Sequence, residues 1–205
     1  VPAAALASAH PVPGLLVGRE AELAALHRWY TMAQQGTRQV GFITGEAGAG
    51  KTALVEAFMA QVAAEGALWI GHGQCIDQYG TGEAYLPVLE ALGRLCRGPQ
   101  GEHFLAWLQR QAPSWLAQMP ALLPMAERDA FLRLAGDATQ ARMLREPTEA
   151  LEILTTEQPL LLVLEDLHGS DAATLEWLAS VARRWDPARL LVLATYRPTE
   201  ARAAS

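Results

Sequence analysis

The sequence predicts an α/β domain built on a parallel sheet. Three observations carry that expectation. Aliphatic runs of strand length alternate with segments of helical periodicity, a glycine-rich turn at 45–50 joins one such run to one such segment, and the run at 160–164 ends in two acids. At 205 residues, 51% of them hydrophobic and 19% charged, the chain is long enough to bury a core and fits a single domain.

Residues 20–33 place Leu23, Leu26 and Tyr30 on one helical face, with acids in the first turn where the helix dipole favours negative charge. Residues 40–44 form a short apolar run that enters the turn at 45–50. Leu54, Val55, Phe58 and Val62 then recur at helical spacing, so this stretch reads strand, loop, helix. A second strand is expected at 67–73 and a helix at 86–97. Between them lies the loop 78–83, whose Gly80 and Gly82 permit unusual backbone angles. From there to about 157 the pattern is helical but interrupted by Pro113, Pro120, Pro124 and Pro147, each of which lacks a backbone donor and should end or kink a helix. The run at 160–164 is of the buried parallel-strand type. Residues 171–185 read as a helix capped by Ser170 or Asp171, with Leu175, Leu178, Ala182 and Trp185 on one face, and 190–195 is a fourth strand. The expected organisation is an Ala/Pro-rich linker at 1–14 and a domain at 15–205, with a helical insertion at about 98–157.

Composition narrows the function classes. The longest aliphatic runs fall far short of the roughly 20 residues that span a bilayer, so no membrane association is expected. The first 14 residues lack the basic start of a secretory signal and do not begin with Met, which reads as a linker inside a longer protein. Cys75 and Cys96 have no metal-ligand spacing, so neither a disulfide framework nor a zinc site is supported, and a reducing cytoplasm is the simpler setting. Net charge is −6 and the arginines are scattered, so this segment is not expected to grip nucleic acid itself. The one lysine is Lys51.

That lysine sits in Gly45-Glu46-Ala47-Gly48-Ala49-Gly50-Lys51-Thr52, which satisfies G-x-x-x-x-G-K-[ST] between an expected strand and an expected helix. The pattern is that of the Walker A phosphate loop, which makes the expected fold a P-loop NTPase three-layer sandwich. Glycines let the loop curl until successive N–H groups point at phosphate oxygens, and the helix beginning at Lys51 adds its dipole and free amides. Gly45, Gly48, Ala49, Gly50, Lys51, Thr52 and Ala53 are therefore the residues expected to hold ATP. Lys51 would reach the β- and γ-phosphates, and the Thr52 hydroxyl would ligate Mg²⁺. The alternative is a glycine-rich turn that binds nothing.

A phosphate loop needs a carboxylate at the tip of a neighbouring strand, and Glu165-Asp166 ends the aliphatic run in the Walker B manner. The pair would orient the Mg²⁺ shell and polarise an attacking water, with Glu165 assigned more to the metal and Asp166 more to the chemistry. The alternative is a strand end that happens to be acidic. Arg197 follows the last strand at the edge where open α/β sheets bind ligands. It reads equally as a sensor of the γ-phosphate or as a solvated loop arginine. His168 reads as a hydrogen-bonding loop residue in preference to a metal ligand. The six tryptophans lie mostly on expected helices away from the loop and read as core or interface.

Assembled, these residues resemble the bacterial ATPases of the AAA/STAND type, which occur in multidomain regulators beside winged-helix DNA-binding or adenylate-cyclase domains. The resemblance runs from Leu16 almost to Ser205. Val17-Gly18-Arg19-Glu20 resembles the family's N-terminal motif, whose backbone helps to hold adenine. Tyr79-Gly80-Thr81-Gly82-Glu83-Ala84-Tyr85-Leu86-Pro87 and Glu165-Asp166-Leu167-His168 are similar to further stretches of the family. Leu191-Val192-Leu193-Ala194-Thr195-Tyr196-Arg197 resembles its sensor strand, which strengthens the reading of Arg197. Two positions depart: Glu165 stands where many relatives have Asp, which leaves open the acid that faces Mg²⁺, and Gly169 replaces the usual Trp.

The resemblance implies an ATP/ADP switch that controls other domains of the same polypeptide and resets by slow hydrolysis in the intact protein. A catalytic ATPase or motor, and a degenerate fold serving as an interaction scaffold, are the other readings. In such ATPases a fifth strand follows the sensor strand, and few residues remain here after Thr195. The sheet is therefore expected to stop at four strands, with the run at 40–44 at one edge. The 205 residues alone are expected to bind nucleotide weakly, to hydrolyse it barely and to self-associate.

Overall fold

The sheet is built from the four expected runs, each with bounds within two residues of the expected ones. They are β1 (Gln39–Thr44), β2 (Trp69–Gln74), β3 (Leu160–Glu165) and β4 (Leu190–Tyr196). The architecture comes from a computed structural model that describes residues 18–75, 83–126, 128, 129, 131, 133 and 139–198. All pairings are parallel and the strand order is β1-β4-β3-β2. Among the described residues β1 is paired on one side only, by β4. The linker at 1–14, Val17 and most of the loop at 78–83 lie outside the described residues.

Strand alternation sorts the core into two layers. Leu161, Val163, Leu191 and Leu193 point to one face and pack against α1 (Glu20–Gln34) and α2 (Lys51–Glu65) through Leu26, Tyr30, Val55, Phe58 and Val62. Leu160, Leu162, Leu164, Leu190, Val192 and Ala194 point to the other. That face is covered by α3 (Leu86–Arg97), α4 (Gly101–Gln111), the single turn α5 (Pro113–Leu116), α6 (Gln140–Leu154) and α7 (Ala172–Arg183). Helices on both faces of a parallel sheet complete a three-layer sandwich. The closest approach is at Gly73 of β2, where a Cβ would collide with the Pro87 carbonyl oxygen of α3, so only glycine lets that helix lie down on the strand. Among the described residues no helix is long and apolar enough to cross a membrane.

The prolines behave less uniformly than their chemistry suggests. Pro113 opens α5 and Pro120 opens a 3₁₀ turn, positions where a missing donor costs little. Pro147 instead lies inside α6, and the helix continues through it. Its absent N–H would have bonded the Met143 carbonyl one turn earlier. That carbonyl accepts a 2.8 Å hydrogen bond from the Trp115 indole of α5, so the acceptor is satisfied and the insertion is stitched together at the same point.

The last helix corrects another expectation. Asp171 is its N-cap, accepting from the Thr174 amide at 2.8 Å and the Thr174 hydroxyl at 2.6 Å. The buried stripe is Thr174, Trp177, Leu178 and Val181. Of the four residues expected on the inner face only Leu178 is buried; Leu175 and Ala182 face outward. Trp185 is 98% exposed, because the helix ends at Arg183. At the opposite end of the sheet from the glycine-rich loop, Glu152 of α6 accepts from Arg38 at 2.6 Å and from Arg184 at 2.9 and 2.7 Å, tying β1, α6 and α7 together.

Candidate functional site

The glycine-rich turn lies at the carboxyl end of β1. Gly48 and Gly50 both adopt left-handed backbone angles, with φ of 76° and 78°, which side-chain-bearing residues rarely hold. These two residues let the chain reverse and enter α2 at Lys51. The helix has no side-chain cap and no acid in its first turn, so the amides of Lys51, Thr52 and Ala53 are left for an anion. The Lys51 ammonium donates to the carbonyls of Gly45 at 2.8 Å and Glu46 at 3.1 Å, which holds the cation within the loop.

In the first turn of α2, the Thr52 hydroxyl donates to Glu165 Oε2 at 2.7 Å. The other carboxylate oxygen, Oε1, lies 2.8 Å from the His72 ring nitrogen Nε2. Glu165 is 5% exposed, and its neighbours keep it ionised. The His72 hydrogen bond holds its carboxyl below the ordinary value against the opposing effect of burial, and the Thr52 hydroxyl and the Lys51 charge act in the same sense. Asp166 follows at the end of the strand. Its backbone is left-handed, with φ of 54°, and its amide donates to the buried Thr195 hydroxyl at 3.0 Å. Of the two acids whose facing the sequence left open, Glu165 is the one that meets the phosphate-loop threonine.

The N-terminal motif also reaches the loop. Arg19 donates to the Ala49 carbonyl at 2.8 Å and to Glu22 at 2.7 Å, beside Gly18, while Val17 lies outside the described residues. Between α1 and β1 a cleft of about 240 Å³ ends against Gly50 and Lys51 and is walled by Leu26, Trp29, Phe42 and Leu54. Trp29 is thus a tryptophan that lies near the loop, where most were expected away from it. Its ring lies against Gly41, where a Cβ would clash with it. Arg197 follows β4 directly after Tyr196, the residue paired with Thr44 at the end of β1. His168 lies in the 3₁₀ turn Leu167–Gly169 just past the acids.

Nothing in the residue pattern alone singles out His72. The available signal was alternation: Ile70, two residues earlier, packs against the α1/α2 core, so His72 presents a polar ring on the same face. Among the described residues no three His, Cys, Asp or Glu side chains converge as a metal cage. A hydroxyl beside a carboxylate fits Mg²⁺, which takes few protein ligands and completes its shell with water and phosphate oxygens.

A family model described as AAA ATPase domain matches residues 15–193. The chain belongs to that family. No match was found among curated proteins. The matched span of this AAA ATPase domain takes in the glycine-rich loop, Thr52, His72 and both acids, and it stops within β4, short of Arg197. Membership makes the chain a P-loop ATPase domain, and nucleotide binding is the property it carries.

Proposed function

We propose that this AAA ATPase domain is the ATP- and Mg²⁺-binding switch of a larger bacterial regulator of the STAND type, acting in signalling or transcription in the cytoplasm. The observation that carries the reading is the 2.7 Å contact between Thr52 and Glu165 beside the only lysine of the chain. The loop amides and Lys51 bind the phosphates. Thr52 donates its proton to Glu165 and so keeps its oxygen lone pairs free for a cation. Mg²⁺, when bound, would neutralise charge on the phosphates. Asp166 orients and polarises the attacking water, and Arg197 answers to the γ-phosphate. The cleft beside Trp29 and Arg19 receives the base.

Nucleotide state in this reading governs contacts with other domains of the same polypeptide. The edge of β1 that is unpaired among the described residues, with the exposed Phe42 on it, is the surface for self-association of these 205 residues alone. A switch hydrolyses slowly, so steady-state turnover of the full-length protein separates it from a motor: slow turnover is expected, and sustained fast hydrolysis would favour the motor. The two acids should also separate by experiment. Asp166→Asn is expected to lower hydrolysis in the intact protein by about a hundredfold with nucleotide affinity little changed. Glu165→Gln should instead weaken the Mg²⁺ dependence of binding. Parent hydrolysis rates in both variants would remove both roles.

A further inference from the structure

We propose that His72 is a positioning residue for the Mg²⁺ site, holding the Glu165 carboxylate in the rotation that accepts the Thr52 hydroxyl. The inference rests on the reading of Thr52 and Glu165 as the metal-side pair and extends it to a third element, β2.

The geometry follows from sheet register. His72 is paired with Val163 and Gln74 with Glu165, so His72 stands two residue pairs below the carboxylate on the neighbouring strand and reaches up to it. Both side chains leave the face covered by α2, as Ile70 and Val163 do just below. An ionised carboxylate only accepts, so the His72 nitrogen at 2.8 Å carries the hydrogen. Each oxygen of Glu165 then has its own donor, Thr52 on Oε2 and His72 on Oε1. A glutamate on Thr52 alone keeps freedom about its terminal torsion. A second donor from an adjacent strand removes that freedom, and the Thr52 hydroxyl inherits a fixed direction. Partners of this outer kind tune metal affinity by about 10- to 100-fold in other sites. His72 also lines a groove of about 280 Å³ along β2 with Trp69, Arg94 and Phe104, and its side chain is 31% exposed, so apolar packing does not account for it.

The test is calorimetric titration of the full chain with ATP, in Mg²⁺ and in EDTA, for the parent, His72→Leu and His72→Gln. Leucine keeps the bulk and loses the donor; glutamine keeps an N–H donor. His72→Leu should bind ATP in EDTA as the parent does and lose about tenfold of the gain in affinity that Mg²⁺ confers. His72→Gln should recover most of that gain. An undiminished Mg²⁺ gain in His72→Leu would overturn the proposal, as would a glutamine variant no better than leucine. Parallel loss in EDTA would show a purely structural role and overturn it as well. A parent chain that binds ATP equally in both conditions would refute the metal-side reading itself, whatever the variants do.

Discussion

Lys51→Ala should cost about 3 kcal/mol of ATP binding, a little over a hundredfold in Kd, while leaving the domain folded. The ammonium is the one lysine charge in the chain and lies within the phosphate loop, where charge-assisted bonds to phosphate are at their strongest. Its present bonds to the Gly45 and Glu46 carbonyls are exposed or half-buried, so their loss costs stability little. Isothermal titration reads the affinity and thermal melting the fold. Unaltered affinity in a folded variant would mean that phosphate is not held by this loop.

Glu152→Ala is expected to act on the fold, by roughly 2–4 kcal/mol, because it leaves a guanidinium that has little access to water with backbone carbonyls as acceptors and no counter-charge from Glu152. The Arg38 side chain is 5% exposed and that of Glu152 15%, so neither charge is hydrated in compensation. Burial by itself would raise the Glu152 carboxyl, but hydrogen bonds from Arg184 and Arg38 hold it below its ordinary value of 4.5. A depressed folded pKa stabilises the protein above the unfolded value, and that contribution disappears as pH falls through the folded value. The parent should therefore lose stability from about pH 4.5 downward, and Glu152→Gln should show a shallower loss over the same window. Urea midpoints measured at neutral and acid pH check both statements. An alanine variant with the parent's midpoint at neutral pH would show that the Arg38, Glu152 and Arg184 cluster contributes nothing.

Much of this architecture was legible because it rests on local periodicity. Val55, Phe58 and Val62 mark the buried stripe of α2, and the aliphatic runs at 160–164 and 190–195 can be satisfied only at the centre of a sheet. The loop was legible because glycine at 48 and 50 meets a backbone need and Lys51 a charge need, both written in residue type. What escaped depends on contacts distant in sequence. Pro147 stays helical because Trp115, 32 residues earlier in the chain, takes the freed carbonyl, which no window around Pro147 reveals. The inner face of α7 was misread because leucine and alanine fit either side of a helix, whereas the packing selects Thr174 and Trp177. His72 became visible only when the β2–β3 register brought it to Glu165.

The central claim is that this domain holds ATP through Lys51 and Thr52 with Mg²⁺ on the Glu165 side. Calorimetric titration of the parent chain with ATP, first in EDTA and then in excess Mg²⁺, tests it most directly. One saturable site that tightens on addition of Mg²⁺ is the predicted result. No saturable binding in either condition, or binding indifferent to the metal, would contradict it.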